Sequence, residues 1–429
     1  MKSSLLAFTA AVAAISPALA QPTFVTAARM IEPGSERVIE NAGVLIEDGT
    51  VVASGRRDSV DVPSNAQTID LGDMTMLPGL IDMHTHLEGP ADKGRGYDRY
   101  QYAADRGTIW AVVHAKRTLH AGFTTVRNVG GSYAMLSVRD AIRDGEIEGP
   151  RLFVAGPPVS VTGSHCADDN YMPYDNASTG DGVADGPWAL RAKVRQNIKY
   201  GVDLIKTCST GGVFSRGTVL GAPQSSVEEL KAIVDEAHLR GLKVAVHAHG
   251  TQGIKNAIEA GADTIEHASL LDRDAIRMAV RNGTYLSMDI YNTDYTLGEG
   301  ERLGIPEESM AKEREVGQAQ RDSFKRAVDA GAKVIFGTDA AIYPHGDNAK
   351  QLRVMTEYGM TPMQALNAAT ALAGEALGHA GKIGCLSEGC YADLIAVDGN
   401  PLDDITVMED VSFVMKEGDV VKGREMDAR

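Results

Sequence analysis

The chain has 429 residues, 43% hydrophobic and 23% charged; this is an ordinary globular balance, too long for one small core and suited to a large domain with a smaller companion. Its formal net charge of −16 argues against nucleic acid or an anionic membrane as partner and reads first as a solvated acidic surface. The four cysteines have neither zinc-ribbon nor Cys-x-x-Cys spacing.

Residues 1–20 read as a secretory leader. Met1-Lys2-Ser3-Ser4 precedes an apolar run from Leu5 to Ile15, and Pro17-Ala18-Leu19-Ala20 supplies an Ala-x-Ala site before Gln21. The run falls short of the roughly 20 residues that a spanning helix needs. Cleavage after Ala20 and export, to a periplasmic or secreted location, are therefore expected, and no later segment is apolar enough to span. Loss of Lys2 with the leader makes the mature chain one unit more negative.

Ala42 to Val52 reads as a hairpin turning near Asp48-Gly49. From Leu77 onward, short apolar strands alternate with amphipathic helices, the pattern of a parallel sheet with crossover helices. Eight strands are predicted: Leu77 to His86, Thr124 to Val129, Leu152 to Pro157, Val202 to Cys208, Lys243 to His249, Ala262 to Ala268, Thr284 to Ile290 and Lys333 to Asp339. Ser226 and Glu229 form a capping box opening the helix Val227 to Arg240; Gly241, Gly261 and Gly331 close helices before strands. Eight such units predict an α/β fold of the TIM-barrel type over 77–381, with its site at the carboxyl ends of the strands. Hairpin text returns after Lys382, in Asp393 to Val397 and Phe413 to Val421. The β-rich ends, 21–76 and 382–429, are expected to pair into one small β-sandwich.

Cys385 and Cys390 flank Leu386-Ser387-Glu388-Gly389, read as a hairpin turn between the strand ends Lys382 to Gly384 and Tyr391 to Leu394. They are a candidate disulfide in an oxidising compartment, against two small buried hydrophobes. Cys166 and Cys208 lie in separate loops, and their state is open.

The most informative stretch is Leu77-Pro78-Gly79-Leu80-Ile81-Asp82-Met83-His84-Thr85-His86. Residues i and i+2 of a strand share a face, so both imidazoles point one way and make half of a zinc site; the bland alternative puts one in a core and the other on a turn. Lys206, His247, His267 and Asp339 also fall at predicted strand ends. Singly, each is more often structural: a strand-end Lys snorkels, a strand-end Asp caps the next helix. Five strand-end donors on one barrel face, counting the His84/His86 pair as one, are not five accidents.

On those motifs, with Gly337-Thr338-Asp339, the mature chain resembles the amidohydrolase superfamily. His247-Ala248-His249-Gly250, Pro344-His345-Gly346-Asp347-Asn348 and Gly389-Cys390-Tyr391-Ala392-Asp393-Leu394-Ile395 make it most similar to the metal-dependent Xaa-Pro dipeptidases and ochratoxin-hydrolysing amidases. The resemblance implies two metal ions, usually zinc: His84, His86 and Asp339 on one, His247 and His267 on the other, and Lys206, carboxylated by carbon dioxide, bridging both. A buried Lys near cations has the lowered pKa that such carboxylation needs. It also implies attack by a hydroxide held between the ions, with Asp339 accepting its proton and passing it to the leaving amine. His165 and His249 are candidates for binding the substrate carbonyl or carboxylate.

Two positions depart from the pattern: Arg127-Asn128 stands where Arg-Asp is expected, and Gln224-Ser225-Ser226 where the relatives often have Gln-Tyr-Ser, which implies a roomier pocket. The resulting expectation is hydrolysis of an amide bond in an N-acyl amino acid or dipeptide with a free carboxylate, ochratoxin A among them. The partner is thus a small molecule, with no nucleic acid or membrane span, and the resemblance suggests a homo-oligomer, an octamer among the options. A cyclic-amide or imidazolone ring hydrolase is the rival enzyme, and a non-catalytic barrel the rival from another class.

Overall fold

The computed structural model describes residues 21–91, 102–167, 173–175 and 180–423; the expected leader lies outside them. The chain begins with β1 (Thr23–Glu32), β2 (Arg37–Glu47), β3 (Thr50–Arg56), β4 (Gln67–Asp70) and β5 (Thr75–Pro78). The predicted hairpin is β2–β3. Glu47 pairs with Thr50 across Asp48 and Gly49, whose φ values of 44° and 72° are those of a two-residue turn matching the strand twist.

Eight parallel strands follow, interleaved with helices: β6 (Leu80–Thr85), α1 (Asp105–His120), β7 (Phe123–Asn128), α2 (Ala134–Arg143), β8 (Arg151–Val154), α3 (Pro187–Tyr200), β9 (Leu204–Cys208), α4 (Val227–His238), β10 (Lys243–Ala248), α5 (Thr251–Ala260), β11 (Thr264–His267), α6 (Arg273–Asn282), β12 (Tyr285–Ser287), α7 (Asn292–Glu299), α8 (Glu307–Asp329) and β13 (Val334–Ile335). All eight predicted strands are present. The capping box is formed, with the Ser226 side chain accepting from Glu229 N and the Glu229 side chain from Ser226 N. The regular ladder comprises two parallel sheets, β6-β7-β8 and β9 through β13, rather than one closed ring. Hydrogen bonds cross both seams. Asp203 N donates to Val154 O (2.9 Å) and Val159 N to Lys206 O (2.8 Å) on one side; Met83 N donates to Phe336 O (3.0 Å) and Asp339 N to His84 O (2.7 Å) on the other.

After α9 (Lys350–Glu357), α10 (Pro362–Ala368) and α11 (Ala371–Ala376), the chain returns through β14 (Leu394–Val397), β15 (Val411–Lys416) and β16 (Asp419–Lys422). β14 pairs antiparallel with β5, so both ends of the chain enter one eight-stranded sheet. The pairing of the ends is thus as expected, and the strand order is that of a single sheet. Alternation gives this sheet two buried faces. Met76, Leu394, Ala396, Phe413 and Met415 join Val25, Met30 and Val44 in a core of its own, whereas Leu77, Ile395, Val397 and Val414 join the main core, with Leu80, Val126, Ile205, Val246, Ile265 and Phe324. The expected strand Lys382 to Gly384 is instead a turn, because Gly381 and Gly384 both take left-handed φ and break the extended run. No helix among the described residues is long and apolar enough to cross a membrane.

Candidate metal centre

The carboxyl ends of the parallel strands open into a cavity of about 680 Å³ lined by, among others, His84, His86, His165, Lys206, His247, His249, His267 and Asp339. Every sequence-predicted site residue therefore lies on one cavity. β6 and the residue that follows it present His84 and His86 to Asp339: Asp339 Oδ1 stands 3.4 Å from His84 Nε2 and 3.3 Å from His86 Nε2. Ligand-type atoms of His84, His267 and Asp339 lie within 4.8 Å of one another, as do those of His247, His249 and His267. His267 thus links the two halves.

The partners of the imidazoles fix which nitrogen is available. His84 Nδ1 donates to Glu266 Oε2 (2.8 Å), and His267 Nδ1 lies 3.0 Å from both oxygens of Asp289; each Nε2 is left as a lone-pair donor, the arrangement that carboxylates impose on metal-binding histidines. Among the histidines that line the cavity, His247 Nε2 and His165 Nδ1 are buried without a hydrogen-bond partner among the described residues. A buried polar atom without a partner is costly. Converging orphaned nitrogens beside carboxylates are what a cation would satisfy, so the residues fit a metal centre. Sites of this kind impose strain. His267, Ala268 and Asp339 have φ of 68°, 47° and 54°, each costing about 1–3 kcal/mol in a residue with a Cβ.

Charge and burial act together here. Lys206 is only 3% exposed, and burial, with Arg127 adding to it, pulls its amine down to about 8 against the opposing pull of Glu266 and Asp339; the neutral amine is easier to reach than in a free lysine. Burial pushes Asp339 up to about 7 and His84 down to about 3. His86, His247 and His249 are likewise held well below the usual imidazole range by burial first and neighbouring cationic groups second.

His165 sits in a 3₁₀ turn, His165–Ala167, its ring stacked on His247 at 4.0 Å. That turn is held by Gln224 Oε1 accepting from His165 N (2.8 Å) and by a Cys166–Cys208 disulfide that joins it to the end of β9. The second disulfide, Cys385–Cys390, spans the turn before β14. His249 stacks on His267 at 4.6 Å and its Nδ1 lies 2.8 Å from Ser269 Oγ. Ser225, where the relatives often have Tyr, is buried with its hydroxyl donating to Cys208 O (3.3 Å) and does not reach the cavity lining. Asn128 has a different logic from the Asp expected there: Oδ1 accepts from Leu87 N (2.8 Å) while Nδ2 donates to Gly130 O (2.7 Å), and a carboxylate could not donate.

Sequence reasoning missed Glu266, Asp289 and the role of Arg127. Arg127 donates to Glu266 Oε1 (2.7 Å), Thr264 Oγ1 (3.0 Å) and Met83 O, so Glu266 is clamped between Arg127 and His84. Asp289 also accepts from Gln320 Nε2 (2.9 Å) and Asn292 Nδ2 (2.5 Å). Asp289 lies one residue before the end of the predicted strand Thr284 to Ile290, the one signal that could have found it. Asp82 is wholly structural, accepting from His84 N, Thr338 Oγ1 and Asn348 Nδ2, which accounts for Asn348 in the Pro344–Asn348 motif.

The family model described as Amidohydrolase family matches residues 75–421. Ochratoxinase of Aspergillus niger is 33% identical over 424 residues, covering 92% of this chain and 86% of its own. Among solved structures, a Xaa-Pro dipeptidase with methionine bound in its active site superposes with a TM-score of 0.88 at 36% identity, covering 94% of this chain and all of the other. The crystal structure of A. niger ochratoxinase gives a TM-score of 0.84 at 30% identity, covering 94% and 96%.

Proposed function

The chain belongs to the amidohydrolase family, and from that premise we propose that it hydrolyses the amide bond of an N-acyl amino acid or dipeptide whose leaving portion carries a free α-carboxylate. The observation that carries this reading is the gathering of His84, His86, Lys206, His247, His267 and Asp339 around one cavity. The likeness to a Xaa-Pro dipeptidase and an ochratoxinase supports the substrate class.

His84, His86 and Asp339 would hold one divalent ion, and His247 and His267 a second, with Lys206, carboxylated on Nζ, shared between them; zinc suits the imidazole and carboxylate donors. When bound, the ions would supply Lewis-acid activation of a water and of the scissile carbonyl. The protein does the rest. Asp339 takes up a proton and returns it to the leaving nitrogen, a role its place on the cavity beside His84 and His86 suits. Glu266 and Asp289 hold His84 and His267 in the ligating tautomer. His165 and His249 orient the carbonyl or carboxylate from the cavity wall. In the same reading the two parallel sheets are one barrel, the terminal sheet is a small sandwich, residues 1–20 direct export, and the protein works as a homo-oligomer, octameric by resemblance.

The test is a comparison of N-acyl amino acids and dipeptides with the same compounds esterified or amidated at the leaving carboxylate. Blocking should lower kcat/KM by at least about tenfold, roughly 1.4 kcal/mol of transition-state binding. Equal rates, or turnover of cyclic amides alone, would replace this reading with ring opening.

A further inference from the structure

α8 presents one face to the cavity. Its buried residues Glu313, Val316, Gly317, Gln320, Ser323, Phe324 and Ala327 recur at helical spacing, and Glu313, Val316 and Gln320 line the cavity. Gln320 marks the inner end of that face, donating to His267 O (3.1 Å) and Asp289 Oδ1 (2.9 Å). Glu313 lies seven residues earlier, about 10 Å along the axis at 1.5 Å per residue. A carboxyl group thus borders the same cavity about two helical turns from the residue that touches His267 and Asp289.

The other cavity carboxylates are engaged. Asp339 faces His84 and His86, and Asp289 takes His267, Gln320 and Asn292. Glu88 accepts from Ser132 N and Oγ. Glu313, only 4% exposed, has a single described hydrogen bond, from Thr293 Oγ1 to its Oε1 (2.6 Å). That bond is made possible by a close approach of α7 and α8: a Cβ on Gly317 would stand 2.5 Å from Thr293 Cγ2. Burial leaves the Glu313 carboxyl pushed above its ordinary range, the state of an acid whose charge is not yet compensated.

We propose that Glu313 is a specificity-determining residue that receives the free α-ammonium group of a dipeptide, so that the acyl half of the preferred substrate is an unblocked aminoacyl residue rather than a neutral cap. The inference rests on the amide-hydrolase reading above and narrows it. An ammonium donating to a buried carboxylate makes a charge-assisted hydrogen bond, which an N-acetyl nitrogen cannot reproduce.

The test compares alanyl-phenylalanine with N-acetyl-alanyl-phenylalanine, which share a scissile bond and a leaving carboxylate, on the metal-loaded wild type, Glu313→Gln and Thr293→Val. The wild type should favour the free amine in kcat/KM by at least about tenfold, mostly through KM. Glu313→Gln should bring the ratio near one with metal content unchanged. Thr293→Val, which removes the hydrogen bond but not the charge, should keep the preference. Should Glu313→Gln not fold, Glu313→Asp, with the carboxyl withdrawn by one methylene, should show a reduced ratio. Equal turnover of both compounds by the wild type, or a Gln variant that still discriminates, overturns the role of Glu313 alone. Failure of the wild type to cleave either compound or any N-acyl amino acid overturns the amide-hydrolase reading with it.

Discussion

His267 and Asp339 reach the site by leaving strand geometry at the point of use. On a regular strand Glu266 and His267 would face opposite sides, yet Glu266 bonds His84 and His267 borders the same cavity, because the backbone turns left-handed at His267. Period-two spacing made His84 and His86 legible in sequence. The same rule could not place Glu266, whose partners Arg127 and His84 are brought to it from other strands. Two substitutions separate these roles. Lys206→Ala should lose most bound metal and turnover, with partial recovery in short-chain carboxylic acids that supply oxygen ligands; full activity without such addition would remove the lysine bridge. Glu266→Ala leaves the 2%-exposed Arg127 guanidinium unpaired, and should cost about 3–5 kcal/mol in denaturant unfolding. Unchanged stability would show that Arg127 finds water or another partner.

Elements were read from sequence at the level of existence and order more securely than in their ends. The alternation of β6 to β13 with helices followed from apolar runs, and α4 from its capping box, since both signals are local. Lys382 to Gly384 was misread because apolar Ile383 stands between residues that turn. The Cys166–Cys208 link was illegible because its halves are 42 residues apart and meet only when β9 and the 3₁₀ turn come together. In that position the disulfide pins His165 over the cavity. Thiol titration under denaturing, non-reducing conditions should find no free thiol. The double variant Cys166→Ser, Cys208→Ser should raise KM several-fold more than it lowers kcat, through a freed His165, and an unchanged KM would make the link purely a stabilising one.

At the scale of the molecule, the two ends of the chain depend on each other. β5 carries Met76 into the terminal-sheet core and Leu77 into the main one, directly before the strand that bears His84 and leads into His86, and its antiparallel partner is β14. A chain stopped at residue 381 should therefore be insoluble or unfolded by circular dichroism rather than a smaller active enzyme; a soluble, active truncation would show that the terminal sheet is an appendage. Composition and hairpin text announced that the ends pair, while which strands meet is a long-range fact that no local pattern carries. The central claim, that this cavity is a two-metal hydrolytic centre, is tested most directly by stripping the purified protein with chelator and adding zinc back while following amide hydrolysis. The account predicts no turnover without metal and a rise that saturates near two equivalents per chain. Full turnover in the metal-free protein, or saturation that bears no relation to the ion count, would contradict it.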